Sequence, residues 1–148
     1  MSQAPFDPSA MRILVAEDDP ITRKLILKTL SQLDQQVFEA TDGAQAWEIY
    51  QRERPEIVMT DWLMPGMDGL ELVRRICECN EERTLKPYIL MLTAKNETAD
   101  LKAGFDQGAS EFISKPFQPI ELIARLKVGI SNQKLARELE QARRLSEQ

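Results

Sequence analysis

The sequence predicts an α/β fold, a doubly wound sheet of five parallel strands flanked by five helices. Short apolar runs rich in branched residues recur along the chain, as the buried strands of a parallel sheet require. Helical patterns separate these runs in strict alternation, which indicates parallel crossover connections. The length of 148 residues suits one core and not two.

Five segments are predicted as strands: residues 12–16, 37–38, 56–60, 88–93 and 110–113. The first helix begins after Asp19, whose side chain can cap it, and the next residue, Pro20, is tolerated in a first turn. This helix is predicted to end near Asp34. The other helices are predicted to begin at residue 43, after the turn-rich segment 64–69, at residue 96 or 98 (ending at residue 104 or 108), and at residue 119.

The last helix is predicted to be unusually long. From Pro119 to about Glu147 only Gly129 interrupts the helical pattern, which corresponds to roughly 40 Å of helix. We therefore divide the chain into a flexible N-terminal tail at 1–10, one domain at 11–130 and a helical extension or linker at 131–148. The extension carries a thin apolar seam of Leu135, Leu139 and Ala142. Two interpretations stay open: a solvated tail, or a signalling helix that pairs with a second chain or leads into a C-terminal effector.

Composition excludes several classes of function. The formal charge of −5, without a basic stripe, argues against direct nucleic-acid binding. The N-terminal residues do not resemble a secretion signal and no apolar run approaches membrane-spanning length, so a cytoplasmic location without membrane contact is expected. The sequence contains no histidine, which rules out histidine-based nucleophilic sites, metal sites and phosphate carriers within this chain. Cys77 and Cys79 are expected to be reduced helix residues.

Acidic side chains follow two of the predicted strands. Glu17 and Asp18 come directly after the first strand, and Asp61 follows the third. Since ligands bind at the carboxyl ends of the strands in doubly wound sheets, these groups are expected to meet at one edge. Clustered carboxylates repel one another unless a cation compensates, and oxygen ligands suit a hard ion such as Mg²⁺. Rigidly held and exposed to an incoming group, Asp61 is also a candidate nucleophile.

A hydroxyl and an amine follow the fourth and fifth strands. Thr93 precedes the small Ala94, so its hydroxyl could donate a hydrogen bond to a phosphoryl oxygen. Lys115 precedes Pro116 and could neutralise both Asp61 and an added phosphate. Each residue alone has an ordinary structural explanation, but together they predict a site for Mg²⁺ and an aspartyl phosphate.

Four motifs carry a resemblance to a known family: ILVAEDDP, IVMTDWLMPGMDG, YILMLTA and FISKPF. Across about residues 11–130, the chain resembles a receiver domain of two-component response regulators. The resemblance implies a flavodoxin-like fold and a phosphoryl group received on an aspartate from a sensor histidine kinase or a histidine phosphotransfer protein. Such a domain is a switch for an output or dimerisation surface and not a turnover enzyme.

The resemblance also assigns roles to residues. It makes Asp61 the phospho-acceptor and a ligand of Mg²⁺, for which Mn²⁺ could substitute. The other ligands would be Asp18, Glu17 through water, and the backbone carbonyl of Leu63. Thr93 and the Ala94 amide would hold the phosphate and Lys115 would pair with it. Phe112 would be the rotating aromatic partner of Thr93, and the bond from Lys115 to Pro116 would be cis.

Leu63 and Lys95 occupy the two variable positions beside the phosphate in the family pattern. Because an apolar Leu63 cannot orient an attacking water by hydrogen bonding, slow self-dephosphorylation is expected. The presence of Leu63 also argues against a haloacid-dehalogenase-like phosphatase, which has an aspartate two residues after its nucleophile. A flavodoxin-like nucleotide-binding protein would need a phosphate loop where Glu17 and the acids after it stand. The remaining alternative is a receiver-like interaction module that acts without phosphorylation.

Overall fold

The computed structural model describes residues 10–94 and 98–147. In chain order the elements are β1 Arg12–Ala16, α1 Pro20–Leu30, a 3-10 turn Ser31–Leu33, β2 Gln36–Ala40, α2 Gly43–Glu53, β3 Ile57–Asp61, α3 Gly69–Glu78, β4 Tyr88–Thr93, α4 Thr98–Gln107, β5 Glu111–Ser114 and α5 Pro119–Ser146. The five strands form one parallel sheet in the order β2-β1-β3-β4-β5. The predicted fold class is therefore confirmed.

The boundaries differ from the predictions in ways that have local causes. The strand β2 is longer than the predicted segment 37–38. Gln36 and Glu39 are polar, as an edge strand allows, and they interrupt the apolar run from which the strand was predicted. The helix α1 ends at Leu30 and continues as the 3-10 turn, which Asp34 closes in the left-handed conformation. Gly108, with a φ of +120°, follows the last residue of α4. The alternative start of α4 at residue 96 lies outside the described residues.

Two apolar layers cover the sheet. On one face α1 and α5 pack through Ile26, Leu30, Leu122, Leu126 and Ile130. The other face is covered by α2 and α3, with α4 next to α3. Because β1, β3 and β4 are enclosed on both faces, nearly all of their side chains are buried, which explains their continuous apolar runs.

The strand register brings the carboxyl ends of the strands to one edge. Ala16 pairs with Thr60, so Glu17 and Asp61 begin at the same level. Thr93 pairs with Ser114, so Lys115 emerges one residue beyond Thr93. The sheet itself thus gathers the predicted polar residues.

The helix α5 extends well past the sheet. Its last buried apolar residue is Ile130, yet the helix continues to Ser146. In the described part of the chain, no helix is both long and apolar enough to span a bilayer.

Candidate functional site

The centre of the site is a lysine held between two carboxylates. Lys115 Nζ donates a hydrogen bond of 2.6 Å to Oε1 of Glu17 and another of 2.9 Å to Oδ2 of Asp61. Glu17 has no exposed surface and Asp61 is only 7% exposed. The side chains come from three strand ends, so the sheet register fixes their mutual positions.

Asp18 completes an acidic cluster at the mouth of the site. Carboxylate oxygens of Glu17, Asp18 and Asp61 all lie within 4.8 Å of one another. Asp18 is exposed, whereas the other two are buried. When all are ionised, these three carboxylates face the single ammonium of Lys115, which leaves two negative charges uncompensated. Oxygen donors with this charge excess fit a hard divalent cation.

Protonation equilibria in the site reflect this crowding. Burial, together with the hydrogen bond and the charge of the neighbouring Asp61, raises the pKa of Glu17 to about 7 against the opposing effect of Lys115. Burial alone would lower the pKa of Lys115, but its hydrogen bonds to Glu17 and Asp61 outweigh burial and raise that pKa. The lysine therefore stays charged and the excess negative charge is borne by the carboxylates.

Backbone contacts hold the strand ends in place. Lys115 donates its backbone N–H to the carbonyl of Thr93 at 2.9 Å, which continues the pairing of β4 and β5 past the sheet. Thr93 is 1% exposed and Ala94 after it is exposed, so the end of β4 passes from the core to the surface within one residue. The peptide bond between Lys115 and Pro116 is cis, as the resemblance implied.

The predicted aromatic residue lies in a ring cluster beside the site. Phe112 has its ring centroid 6.1 Å from that of Trp62 and 4.8 Å from that of Phe105, the latter in an edge-to-face arrangement. A Cβ on Gly104 would come within 2.3 Å of Phe112 Cζ, so α4 approaches the ring closely. The cluster connects the residue after Asp61 with α4 and β5. The proposed partnership of Phe112 with Thr93 stays a prediction.

Comparison with known proteins identifies the family. A family model described as the response regulator receiver domain matches residues 13–127. The chain belongs to this family. In two-component systems, response regulators receive their signals from histidine kinases.

Individual relatives agree with this assignment of the receiver domain. The phosphate regulon transcriptional regulatory protein PhoB of Pseudomonas aeruginosa is 37% identical over 115 residues, which cover 78% of this chain and 49% of PhoB. A putative response regulator from Chloroflexus aurantiacus has a TM-score of 0.74 at 31% identity, covering 82% of this chain and 98% of that one. The BeF3-activated receiver domain of RstA from Klebsiella pneumoniae has a TM-score of 0.71 at 31% identity, covering 80% and 97%. The chain spans about half the length of the curated relatives it matches.

Two residues that support the site, Gly69 and Arg23, are not among the predicted site residues. Gly69 begins α3 directly beneath the site, and a Cβ there would lie 2.0 Å from the backbone oxygen of Asp61. Arg23 donates a hydrogen bond of 2.8 Å to the carbonyl of Glu17. Gly69 is the last residue of the turn-rich segment 64–69, which is a signal for a close backbone approach, whereas nothing in the sequence around Arg23 indicates its hydrogen bond to Glu17.

The structure describes one of the two residues, Leu63 and Lys95, that are predicted to flank the phosphate. Leu63, two residues after Asp61, is 59% exposed, so the position that the resemblance places beside the phosphate is apolar and open to solvent. Lys95, the other predicted flanking residue, lies outside the described residues. The apolar character of the flank therefore rests on Leu63.

Proposed function

We propose that this receiver domain accepts a phosphoryl group on Asp61 from a histidine kinase or a histidine phosphotransfer protein, in a reaction that depends on a divalent metal. The observation that carries the proposal is the contact of Lys115 with both Asp61 and Glu17. A lysine held by two buried carboxylates next to a third is poorly suited to simple structural support, because it leaves excess charge uncompensated. It suits a site that receives a cation and a phosphate.

The metal site would be formed by Asp18, Asp61, Glu17 through water and the backbone carbonyl of Leu63. Mg²⁺ is the expected ion, and Mn²⁺ could substitute. The fit rests on oxygen donors within 4.8 Å of one another and on their charge excess. When bound, the ion would neutralise charge on the carboxylates and on the phosphoryl oxygens.

Phosphoryl transfer would proceed by attack of an Asp61 carboxylate oxygen on the phosphorus of a donor phosphohistidine. The new O–P bond forms as the donor P–N bond breaks, and the imidazole leaves with the electron pair of that bond. Lys115 would balance the charge on the phosphoryl oxygens, since its pKa is raised and it is already hydrogen-bonded to Asp61. The Thr93 hydroxyl and the Ala94 amide would then donate to the phosphate.

The readout would pass through the aromatic cluster. Movement of the buried Thr93 toward the phosphate would open space for Phe112, and Gly104 and Phe105 of α4 lie against that ring. The surface formed by α4, β5 and α5 would change in consequence. Since Asp61 itself receives the group, the chain acts as a switch with slow self-dephosphorylation and not as a turnover enzyme.

The output and its partner stay open in this proposal. The long α5 could pair with a second chain or connect to an effector beyond the length that the chain shares with its relatives. Direct nucleic-acid binding by this domain is not expected. The alternative function is an interaction module that works without phosphorylation, and it would keep the fold while leaving Asp61 unmodified.

Trp62 provides a test that separates these two functions. Its indole is 4% exposed and directly follows Asp61, so its fluorescence should respond to a ligand on that carboxylate. We expect quenching or enhancement on adding Mg²⁺ with beryllofluoride, and no beryllofluoride response in Asp61→Asn. Trp62→Phe is the control, since its remaining Trp47 lies on α2. An unchanged wild-type signal with an intact fold would favour the interaction module.

A further inference from the structure

From Val128 onward, α5 carries a largely apolar stripe that faces away from the domain. We define the outer stripe as Val128, Asn132, Leu135, Leu139 and Ala142. All five side chains are exposed, with Val128 at 56%, Leu135 at 55% and Leu139 at 63%. A water-facing stripe of this kind on a long helix is a candidate contact surface.

The opposite face of the same helix is attached to the domain by polar contacts. The Gln133 side-chain amide donates hydrogen bonds of 2.6 Å to the carbonyl of Glu56 and 3.0 Å to the carbonyl of Lys86. One turn later, Arg137 forms an ion pair with the Glu56 side chain. These contacts lie at the amino ends of β3 and β4 and fix the rotation of the helix about its axis.

Beyond Ile130 the helix is therefore amphipathic in the reverse sense to an ordinary surface helix. Gln133 and Arg137 face the protein, while Leu135, Leu139 and Leu145 face water. Burial against the domain cannot account for Leu135 and Leu139, because the domain contacts use the other face. These leucines can be buried only by a partner that lies outside the core of this domain.

The spacing of the outer stripe is that of a coiled coil. Successive members are separated by four, three, four and three residues, so they fall at alternating d and a positions of a heptad. In this assignment Asn132 occupies an a position, where a single asparagine specifies register and a two-stranded state. We propose that the outer stripe is a dimerisation seam that pairs in parallel and in register with a second copy of this chain.

Charge complementarity favours a second copy in the parallel orientation. With the seam at a and d, Glu138 takes a g position and Arg143 the e position of the following heptad. A parallel, in-register dimer places Glu138 of each copy beside Arg143 of the other, which gives two opposite-charge contacts across the seam. Arg143 also pairs with Glu140 and Glu147 of its own helix, which keeps its guanidinium on this flank.

The antiparallel arrangement has no such match. It brings e positions against e positions and g positions against g positions. The e positions of the extension hold Ala136 and Arg143, and the g positions hold Ser131, Glu138 and Leu145. No opposite charges would meet, so the chain's own flanks specify a parallel partner identical to itself.

This dimer does not depend on phosphorylation of Asp61, and its seam covers fewer than three heptads. Weak association is therefore expected, concentration-dependent in the micromolar range and dominated by the two leucines. Since Leu139 is exposed in the single chain, Leu139→Glu should leave the fold intact and abolish association.

Oxidative cross-linking tests both the seam and its register. Ala142→Cys places a thiol in the seam, whereas the matched control Gln141→Cys places one at the adjacent, outward position. The unaltered chain gives the background from Cys77 and Cys79, which are partly buried. We expect disulfide-linked dimer from Ala142→Cys well above both controls. Equal cross-linking of the two variants, or none, would overturn the parallel register.

Sedimentation velocity of the full chain completes the test. We expect the weight-average mass to rise toward twice the monomer mass with increasing concentration, and Leu139→Glu to stay monomeric with an unchanged circular dichroism spectrum. A wild type that is monomeric at high micromolar concentration would overturn the proposal. Dimers that persist in Leu139→Glu would overturn it as well, because they would use another surface.

Discussion

Lys115 Nζ donates a hydrogen bond of 2.6 Å to Glu17 Oε1, although Glu17 is entirely buried and is separated from the lysine by 98 residues of sequence. The same ammonium reaches Asp61 at 2.9 Å. One positive charge thus serves two carboxylates, and each consequence of removing or titrating a member of this trio can be measured.

Replacing the lysine should destabilise the metal-free protein in a pH-dependent way. Lys115→Met leaves carboxylate oxygens of Glu17 and Asp61 without their hydrogen-bond donor, and we expect a loss of about 1–3 kcal/mol in the free energy of unfolding at pH 8. The loss should be smaller at pH 6, because Glu17 can take up a proton there. Urea denaturation at both pH values measures the difference. Equal losses would show that Lys115 does not balance the charge of Glu17.

Metal affinity should depend on the protonation of Glu17. Its pKa in the folded protein, about 7, lies above the ordinary value of 4.5. The stability from this raised pKa is complete below pH 4.5 and is lost as the pH rises through 7, so the metal-free site is least favourable at alkaline pH. Mg²⁺ must displace the proton, and its affinity should increase from pH 6 to pH 8 by at most roughly tenfold per pH unit.

Calorimetric titration of Mg²⁺ at several pH values measures this dependence. Glu17→Gln is the control, because it cannot titrate and its affinity should be low and independent of pH over the same range. Wild-type affinity that falls with rising pH would contradict the assigned role of Glu17.

The close approach of Gly69 to Asp61 should make this glycine intolerant of a side chain. A Cβ at Gly69 would lie 2.0 Å from the backbone oxygen of Asp61, so Gly69→Ala must displace β3 or α3. We expect a loss of about 1–3 kcal/mol in stability together with slower phosphorylation. Gly66→Asn is the matched control, because Gly66 has open space around it and asparagine tolerates its φ of +75°. Similar behaviour of the two variants would argue against steric support of Asp61.

The apolar flank should prolong the phosphorylated state. Because Leu63 cannot orient water by hydrogen bonding, we expect the phosphoryl group on Asp61 to persist for minutes or longer. Leu63→Asn should shorten its half-life several-fold, whereas Leu63→Ala should not. Phosphate release after removal of the donor gives these rates. A wild-type half-life of seconds would contradict the argument.

Local sequence patterns were sufficient to predict the sheet and the polar edge. The buried strands have continuous apolar runs, and the rule that ligands bind at the carboxyl ends of parallel strands then placed Glu17, Asp61, Thr93 and Lys115 together. The hydrogen bonds of Lys115 to Glu17 and Asp61 required the strand register, which depends on pairing between distant segments. The predicted boundaries were least accurate at β2, because an edge strand can contain polar residues.

Contacts between distant polar residues could not be predicted in the same way. Gln133 and Arg137 lie in the predicted helical extension or linker, and nothing near them in sequence indicates that Glu56 and Lys86 are their partners. The thin seam of Leu135 and Leu139 was visible in the sequence. The structure was needed to show that the domain contacts the opposite face of the helix and that these leucines face water.

Intact-protein mass spectrometry tests the central claim, that Asp61 accepts phosphate. The chain and Asp61→Asn would be incubated with Mg²⁺ and a small phosphodonor such as phosphoramidate, with and without a metal chelator. We expect the mass of one phosphoryl group to be added to the wild type only when Mg²⁺ is present, and never to Asp61→Asn. An unmodified wild type, or equal modification of the folded variant, would contradict the account.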